Sequence, residues 1–418
     1  MQARLGIQAA ILIPGCFKTC SRSSAHLGAM LYPNFAEVNR PPVQAWDDPC
    51  TRHMFRPGRC LCCGFPGRQA MPYRIAATLA AVLGTSLGAQ AAPQYRVEML
   101  PGLDGGASFN AVGINNRGDV AGYSENSAGS RSFIYNKDGF SFLPQSGNSS
   151  VPVAINNRGQ VLYNANTASG QTQPFLYGPK GALNINPDPG NWGMGRALSS
   201  SGQAVGNIGD KNFYYDGKIS RYVDFDLEGA RAAFATGVNR NGVIVGRAMV
   251  SGEATQGFIY RNGRASFLDG LSDAYAVNDN GQILSVDGGG YLLRNSDGSK
   301  SYLGFSAAGS NALNQRGWVV GNTVVDGALH AFVYRDGQST DLNRLIAGPD
   351  ASRWTLVSAA DINERGQIVG TGLFDGQRVS FVASPVPVPE PGTWALMLCG
   401  VGVIGAALRR RNSIVAGR

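Results

Sequence analysis

A twelve-residue phrase returns seven times between residues 111 and 370, and a fixed internal period restricts the possible architectures more than any local propensity. Its copies are AVGINNRGDVAG from Ala111, PVAINNRGQVLY from Pro152, GRALSSSGQAVG from Gly195, ATGVNRNGVIVG from Ala235, AYAVNDNGQILS from Ala274, SNALNQRGWVVG from Ser310 and AADINERGQIVG from Ala359. The glycines at the centre, Gly118, Gly159, Gly202, Gly242, Gly281, Gly317 and Gly366, are 36 to 49 residues apart. In Asn-x-x-Gly the asparagine amide caps its own turn and the glycine accepts a positive φ, so the flanking apolar stretches read as a hairpin with a bulge. Asn115, Asn156, Asn239, Asn278, Asn314 and Asn363 are therefore turn residues first and binding residues second. The third copy has Ser199 in that place, a weaker cap.

Each phrase is followed by an aromatic-apolar run: Phe133 to Tyr135, Phe175 to Tyr177, Phe213 to Tyr215, Phe258 to Tyr260, Tyr291 to Leu293, Phe332 to Tyr334 and Phe381 to Ala383. Most runs then reach a glycine turn such as Asp138-Gly139 or Asp336-Gly337 before a further short apolar pair. Up to four short strands in about forty residues, repeated radially, is the make-up of a β-propeller blade. The expectation is an all-β, seven-bladed propeller over residues 92–384, each blade starting at a strand like Tyr95 to Leu100 and ending at the aromatic strand. A β-solenoid is the alternative, but its rungs are shorter and it does not call for an aromatic run in every unit.

Charge and cysteine lie outside the repeats. The whole chain carries a formal +8, yet residues 92–384 hold 23 Lys and Arg against 24 Asp and Glu, which leaves no basic footprint for nucleic acid. Cys16, Cys20, Cys50, Cys60, Cys62 and Cys63 precede the repeats and Cys399 follows them, so the repeat domain has no disulfide. Cys60, Cys62 and Cys63 near His53 lack the C-x-x-C spacing of a zinc knuckle.

Both ends read as addresses. From Met71, Pro-Tyr-Arg74 leads into the apolar run Ile75 to Gly84 and a small-x-small site at Ala89 and Ala91, which is the layout of a signal peptide over residues 71–91. On this reading Met71 is the true start, and residues 1–70 are a spurious or disordered extension. Residues 385–418 open with Val388-Pro389-Glu390-Pro391, continue as an apolar helix over 394–408 and stop at Arg409, Arg410 and Arg411, an order that leaves the arginines in the cytoplasm. Fifteen residues at 1.5 Å rise span about 22 Å, which is short for a permanent anchor and suited to a span that is later cut.

This tail resembles the PEP-CTERM sorting signal of Gram-negative bacteria, which implies an exosortase-like processing partner acting near Pro389, Glu390 and Pro391, and delivery to the cell surface or an extracellular matrix. The repeats resemble the HAF family of extracellular repeats through the Asn-x-x-Gly core, the Phe strand and one verbatim His330-Ala331-Phe332. That resemblance implies an exported propeller-like domain with no established chemistry.

No catalytic, metal or cofactor site is expected. His330 is the sole histidine between residues 92 and 384 and holds a repeat position, so it reads as structural. Asp224, Asp226 and Glu228 are too short a run for a calcium loop and alternate like an exposed strand edge. The expected function is therefore a non-enzymatic, monomeric surface or matrix propeller, with an extracellular polysaccharide as a candidate partner. The competing function is a secreted polysaccharide-acting enzyme, which needs two or more carboxylates converging at one end of the channel.

Overall fold

Each phrase closes a hairpin. The computed structural model describes residues 94–102, 108–252, 254–307 and 312–386, and in it strand Ser108–Ile114 enters the first turn and Val120–Asn126 leaves it, with Ile114 opposite Val120. The aromatic run follows as Gly129–Asn136, and the Lys137-Asp138 turn returns the chain as the short strand Gly139–Phe142. The described residues form seven four-stranded sheets, in six of which strand order is sequence order. The described residues form a seven-bladed, all-β propeller. The bulge expected beside the turn falls between Ala111 and Gly113, and again between Pro152 and Ala154, Gly195 and Ala197, Ala235 and Gly237, Ala274 and Ala276, and Ala359 and Asp361.

Ring closure shifts the frame read from the sequence. Strand Gln94–Met99 does not open the first blade but runs antiparallel along Gln377–Val386, as the fourth strand of the last sheet, with Tyr95 opposite Pro385 and Met99 opposite Phe381. The cause is local. A short turn after each aromatic strand, Lys137-Asp138 in the first blade and Asp336-Gly337 in the sixth, pairs the next short strand back onto it. Every such strand therefore belongs to the blade before it, and the first one in the chain has only the last blade to complete. Tyr95, 1% exposed, packs there into the largest apolar cluster with Leu342, Trp354, Leu356 and Phe381.

A second regularity ties the phrase to the aromatic strand. The glycine that ends the phrase lies directly across from the phenylalanine: Gly122 opposite Phe133, Gly206 opposite Phe213, Gly246 opposite Phe258, Gly321 opposite Phe332 and Gly370 opposite Phe381. The ring lies over the bare Cα. A Cβ on Gly246 would sit 2.1 Å from the Phe234 carbonyl oxygen and 2.7 Å from the Phe258 ring. The second blade solves the same space differently: Tyr163 replaces the glycine, becomes fully buried and stacks on Phe175 at 5.5 Å, which leaves Phe175 only half-buried. Gly246→Ala is accordingly expected to cost about 2–3 kcal/mol by forced overpacking, measured by urea unfolding. Gly102→Ala, whose new methyl meets nothing within 4 Å, should stay within about 0.5 kcal/mol of the parent.

Among the described residues no helix is long and apolar enough to cross a membrane. The apolar segment 394–408 lies outside the described residues, as do residues 1–93.

Candidate functional site

The six Asn-x-x-Gly turns and the Ser199 turn of the third blade meet at one mouth of the central channel. Within each turn the asparagine Oδ1 accepts two backbone N–H groups, as Asn278 does from Asn280 at 3.1 Å and Gln282 at 2.9 Å, while Gly281 adopts φ +78°. Its Nδ2 then donates sideways to the backbone carbonyl of the equivalent residue in the next blade. Asn115 reaches Asn156 at 3.4 Å, Asn156 reaches Ser199 at 3.2 Å, and Asn239, Asn278 and Asn314 reach Asn278, Asn314 and Asn363 at 3.0 Å each. Asn363 returns to Asn115 at 2.9 Å, across the seam between the last and first blades. Ser199 has no amide to continue the chain. With the Gln203 amide nitrogen turned toward the ring, that side chain closes the gap to the Asn239 carbonyl at 2.9 Å.

The residue after each asparagine forms a second, partial ring, in which a side-chain oxygen accepts the N–H of the preceding blade. Asn157 holds Asn116 at 2.7 Å, Asp279 holds Arg240 at 2.8 Å, Gln315 holds Asp279 at 2.6 Å, Glu364 holds Gln315 at 2.9 Å and Asn116 holds Glu364 at 2.8 Å. The ring fails at the third and fourth blades because Ser200 is too short and Arg240 carries no acceptor. Ser200 instead donates to Asp279 at 2.8 Å, two blades away.

The seam also carries Asp361. Two residues before the turn asparagine, six blades place Gly113, Ala154, Ala197, Gly237, Ala276 and Ala312, and the seventh places this carboxylate, almost completely buried. Its oxygens accept the N–H of Ile114 at 2.8 Å and of Ile362 at 2.7 Å. Burial pushes its carboxyl up to about 7 against those two hydrogen bonds, and the charge of Glu364 adds to the rise. Glu364 is itself raised, chiefly by burial, which outweighs the Gln315 N–H and Arg316, with Asp279 adding to the rise.

A raised carboxyl means that the folded chain keeps a proton the unfolded chain releases. Stability from Asp361 is thus present at low pH and lost as pH rises through about 7. Asp361→Ala, the residue type of neighbouring blades, should remove a pH-dependent penalty on the order of 4 kcal/mol above pH 7, offset at every pH by about 1–3 kcal/mol for each of the Ile114 and Ile362 N–H groups it orphans. Urea unfolding should show the variant gaining stability relative to the parent between pH 5 and pH 8; a difference that does not change with pH would contradict the raised carboxyl.

Three carboxylates, Asp279, Asp361 and Glu364, therefore converge on the channel, as an enzyme acting there would need. The space they face is about 120 Å³, against about 300–1,000 Å³ for a ligand pocket. Among the described residues no group of three or more His, Cys, Asp or Glu is placed to hold a metal ion.

The other singled-out residues lie apart from this mouth. His330 Nδ1 bonds Asp341 Oδ2 at 2.8 Å, and Asp341 also accepts the Asn343 N–H at 2.9 Å to cap the turn Leu342–Leu345. Burial raises the Asp341 carboxyl, but the bonds from His330 and Asn343 outweigh it and hold the group below the usual range. Asp224, Asp226 and Glu228 follow strand Ser220–Val223 in an exposed loop, not on a strand edge. Ala89, Ala91, Pro389, Glu390, Pro391, Arg409, Arg410 and Arg411 lie outside the described residues.

For the tail, the deciding observation is a match of residues 387–411 to the model of the PEP-CTERM protein-sorting motif. The chain carries a PEP-CTERM sorting motif. That motif marks an exported, exosortase-targeted protein that is held at the membrane transiently, and here it follows directly on the last propeller strand. None of the curated proteins matches the sequence. Solved structures similar to the chain include a catalytically inactive virginiamycin B lyase from Staphylococcus aureus with quinupristin, at 12% identity and TM-score 0.41 over 70% of this chain and 100% of that one. Others are the β-propeller domain of the Trilobed protease from Pyrococcus furiosus, at 11% identity and TM-score 0.46 over 68% and 98%, and an acylaminoacyl peptidase from Pyrococcus horikoshii, at 13% and 0.42 over 65% and 52%. Neither substrate nor activity carries over at such identities.

Proposed function

We propose that the PEP-CTERM chain is a non-enzymatic binding or structural propeller, delivered to the cell surface or extracellular matrix and held there by contact with extracellular polysaccharide. The supporting observation is the sorting motif at 387–411 placed behind a propeller whose channel mouth spends its polar groups on its own ring. The asparagine amides are buried and saturated, and the carboxylates beside them accept backbone N–H groups. This favours binding over hydrolysis in the channel, and no metal or cofactor enters the scheme. A signal peptide over residues 71–91 starts export, and the HAF-like tripeptide at His330 fits an extracellular repeat. The test is cell fractionation of the native host. The processed chain should sediment with extracellular polysaccharide and be released by enzymatic digestion of that polysaccharide; recovery only as free protein in the medium, or only in the inner membrane, would contradict the proposal.

A further inference from the structure

Two neighbouring blades place cations against each other at the same point. In the fourth blade, strand Thr255–Arg261 turns through Asn262 and Gly263 into the outer strand Arg264–Phe267, and the register sets Arg261 directly opposite Arg264. In the fifth, Gly290–Arg294 returns as Lys300–Tyr302, with Arg294 directly opposite Lys300. Like charges in that position weaken a sheet. The equivalent pairs of other blades are Asn136 with Gly139, Gly178 with Gly181, Tyr215 with Ser220 and Arg335 with Gln338, none of them two cations. A guard against edge-to-edge pairing needs a charge on the outer strand alone, so it accounts for Arg264 and Lys300 but not for the arginines across from them.

Three of these four cations line one groove. Arg261 of the fourth blade and Arg294 and Lys300 of the fifth share a concavity of about 390 Å³, against about 120 Å³ at the channel mouth. Ile259 and Phe267, both half-buried, give it an apolar wall, and Asp269 is the one carboxylate in its lining. The cations are poorly compensated. Among the described residues the exposed Arg261 and Arg264 make no hydrogen bond or ion pair. Arg294 Nη1 reaches the Asn295 carbonyl at 3.5 Å, and Lys300 Nζ lies 3.0 Å from Asp287. The acidic groups of the fifth-blade hairpin have other partners too: Asp287 accepts the Tyr302 hydroxyl at 2.9 Å, and Asp297 accepts the Ser299 N–H at 2.9 Å.

Positive charge repeated over two blades, beside an apolar wall, suits a ligand whose negative charge also repeats. A chain of uronic acids carries a planar carboxylate on each sugar, which an arginine fork takes bidentately, and C–H faces for Ile259 and Phe267. A simple anion answers one pair only, and a neutral glycan answers neither. We propose that Arg261, Arg264, Arg294 and Lys300 bind a carboxylated polysaccharide along the seam between the fourth and fifth blades. This rests on the polysaccharide-binding role proposed above and names its ligand class and site.

The test is titration calorimetry of the full chain in detergent with a galacturonic acid hexamer, a glucose hexamer as neutral control and sodium sulfate as a simple anion. The charged hexamer should bind, and the neutral one roughly tenfold more weakly or worse. Arg264→Glu keeps a charge on the outer strand but turns the like pair with Arg261 into an opposite one. It should therefore weaken the charged hexamer by about tenfold while the melting temperature holds or rises. Arg294→Gln should weaken it several-fold, and Lys137→Ala, in the equivalent turn of the first blade, should leave it unchanged. If Arg264→Glu lowers the melting temperature, Arg261→Gln serves in its place, again with a several-fold loss. No binding of the charged hexamer, equal binding of both hexamers, a response to the arginine variants no larger than to Lys137→Ala, or displacement by equimolar sulfate would overturn the site. Retention in the matrix despite such a result would leave the broader role standing.

Discussion

Deleting residues 94–100 should leave a propeller that cannot close. The last sheet would lose its outer strand and the buried Tyr95, and the ten-residue strand Gln377–Val386 would become a bare edge. Loss of a buried aromatic side chain alone costs about 3–5 kcal/mol, before the lost ladder is added. Expected readouts are a melting temperature lower by roughly 10 °C or more and association through the exposed edge, seen by size-exclusion chromatography with light scattering. An unchanged, monomeric melt would show that the ring does not depend on this strand.

The second large effect lies in the tail. Replacing Glu390 and Pro391 by alanine, or removing residues 387–411, should abolish exosortase processing, because the match to the sorting motif covers these residues. With the double substitution, the apolar segment and Arg409, Arg410 and Arg411 remain in place, so an uncut precursor should accumulate in the membrane fraction. With the whole segment removed, the propeller should appear uncut and without membrane association. Immunoblots of fractionated cells read both outcomes, and normal processing of the double variant would place the cut elsewhere.

Much of this architecture was legible because the repeats state it seven times over. The Asn-x-x-Gly phrase announced hairpin, bulge and turn, and the aromatic run announced the third strand. What escaped was relational. The blade frame was offset by one strand because a strand such as Tyr95 to Leu100 looks the same whether it opens one blade or completes another; only its pairing across the short turn after the aromatic strand decides it. The sideways Nδ2 bonds from Asn278 to Asn314 and around the ring depend on how blades sit beside one another, which no single repeat encodes. Gly246 was recognisable as part of the phrase, but its need for a bare Cα arises from Phe258 across the ladder. Asp361 carried a signal that was there to be read: aligned on the turn asparagine, it is the one carboxylate in a column otherwise filled by glycine and alanine.

The most direct measurement is mass spectrometry of both termini of the chain recovered from the extracellular fraction of its native host. Export through the signal segment and exosortase processing of the PEP-CTERM tail predict a start near Ala92 and an end near Pro389. An intact chain running from Met1 to Arg418 in the cell envelope would contradict both.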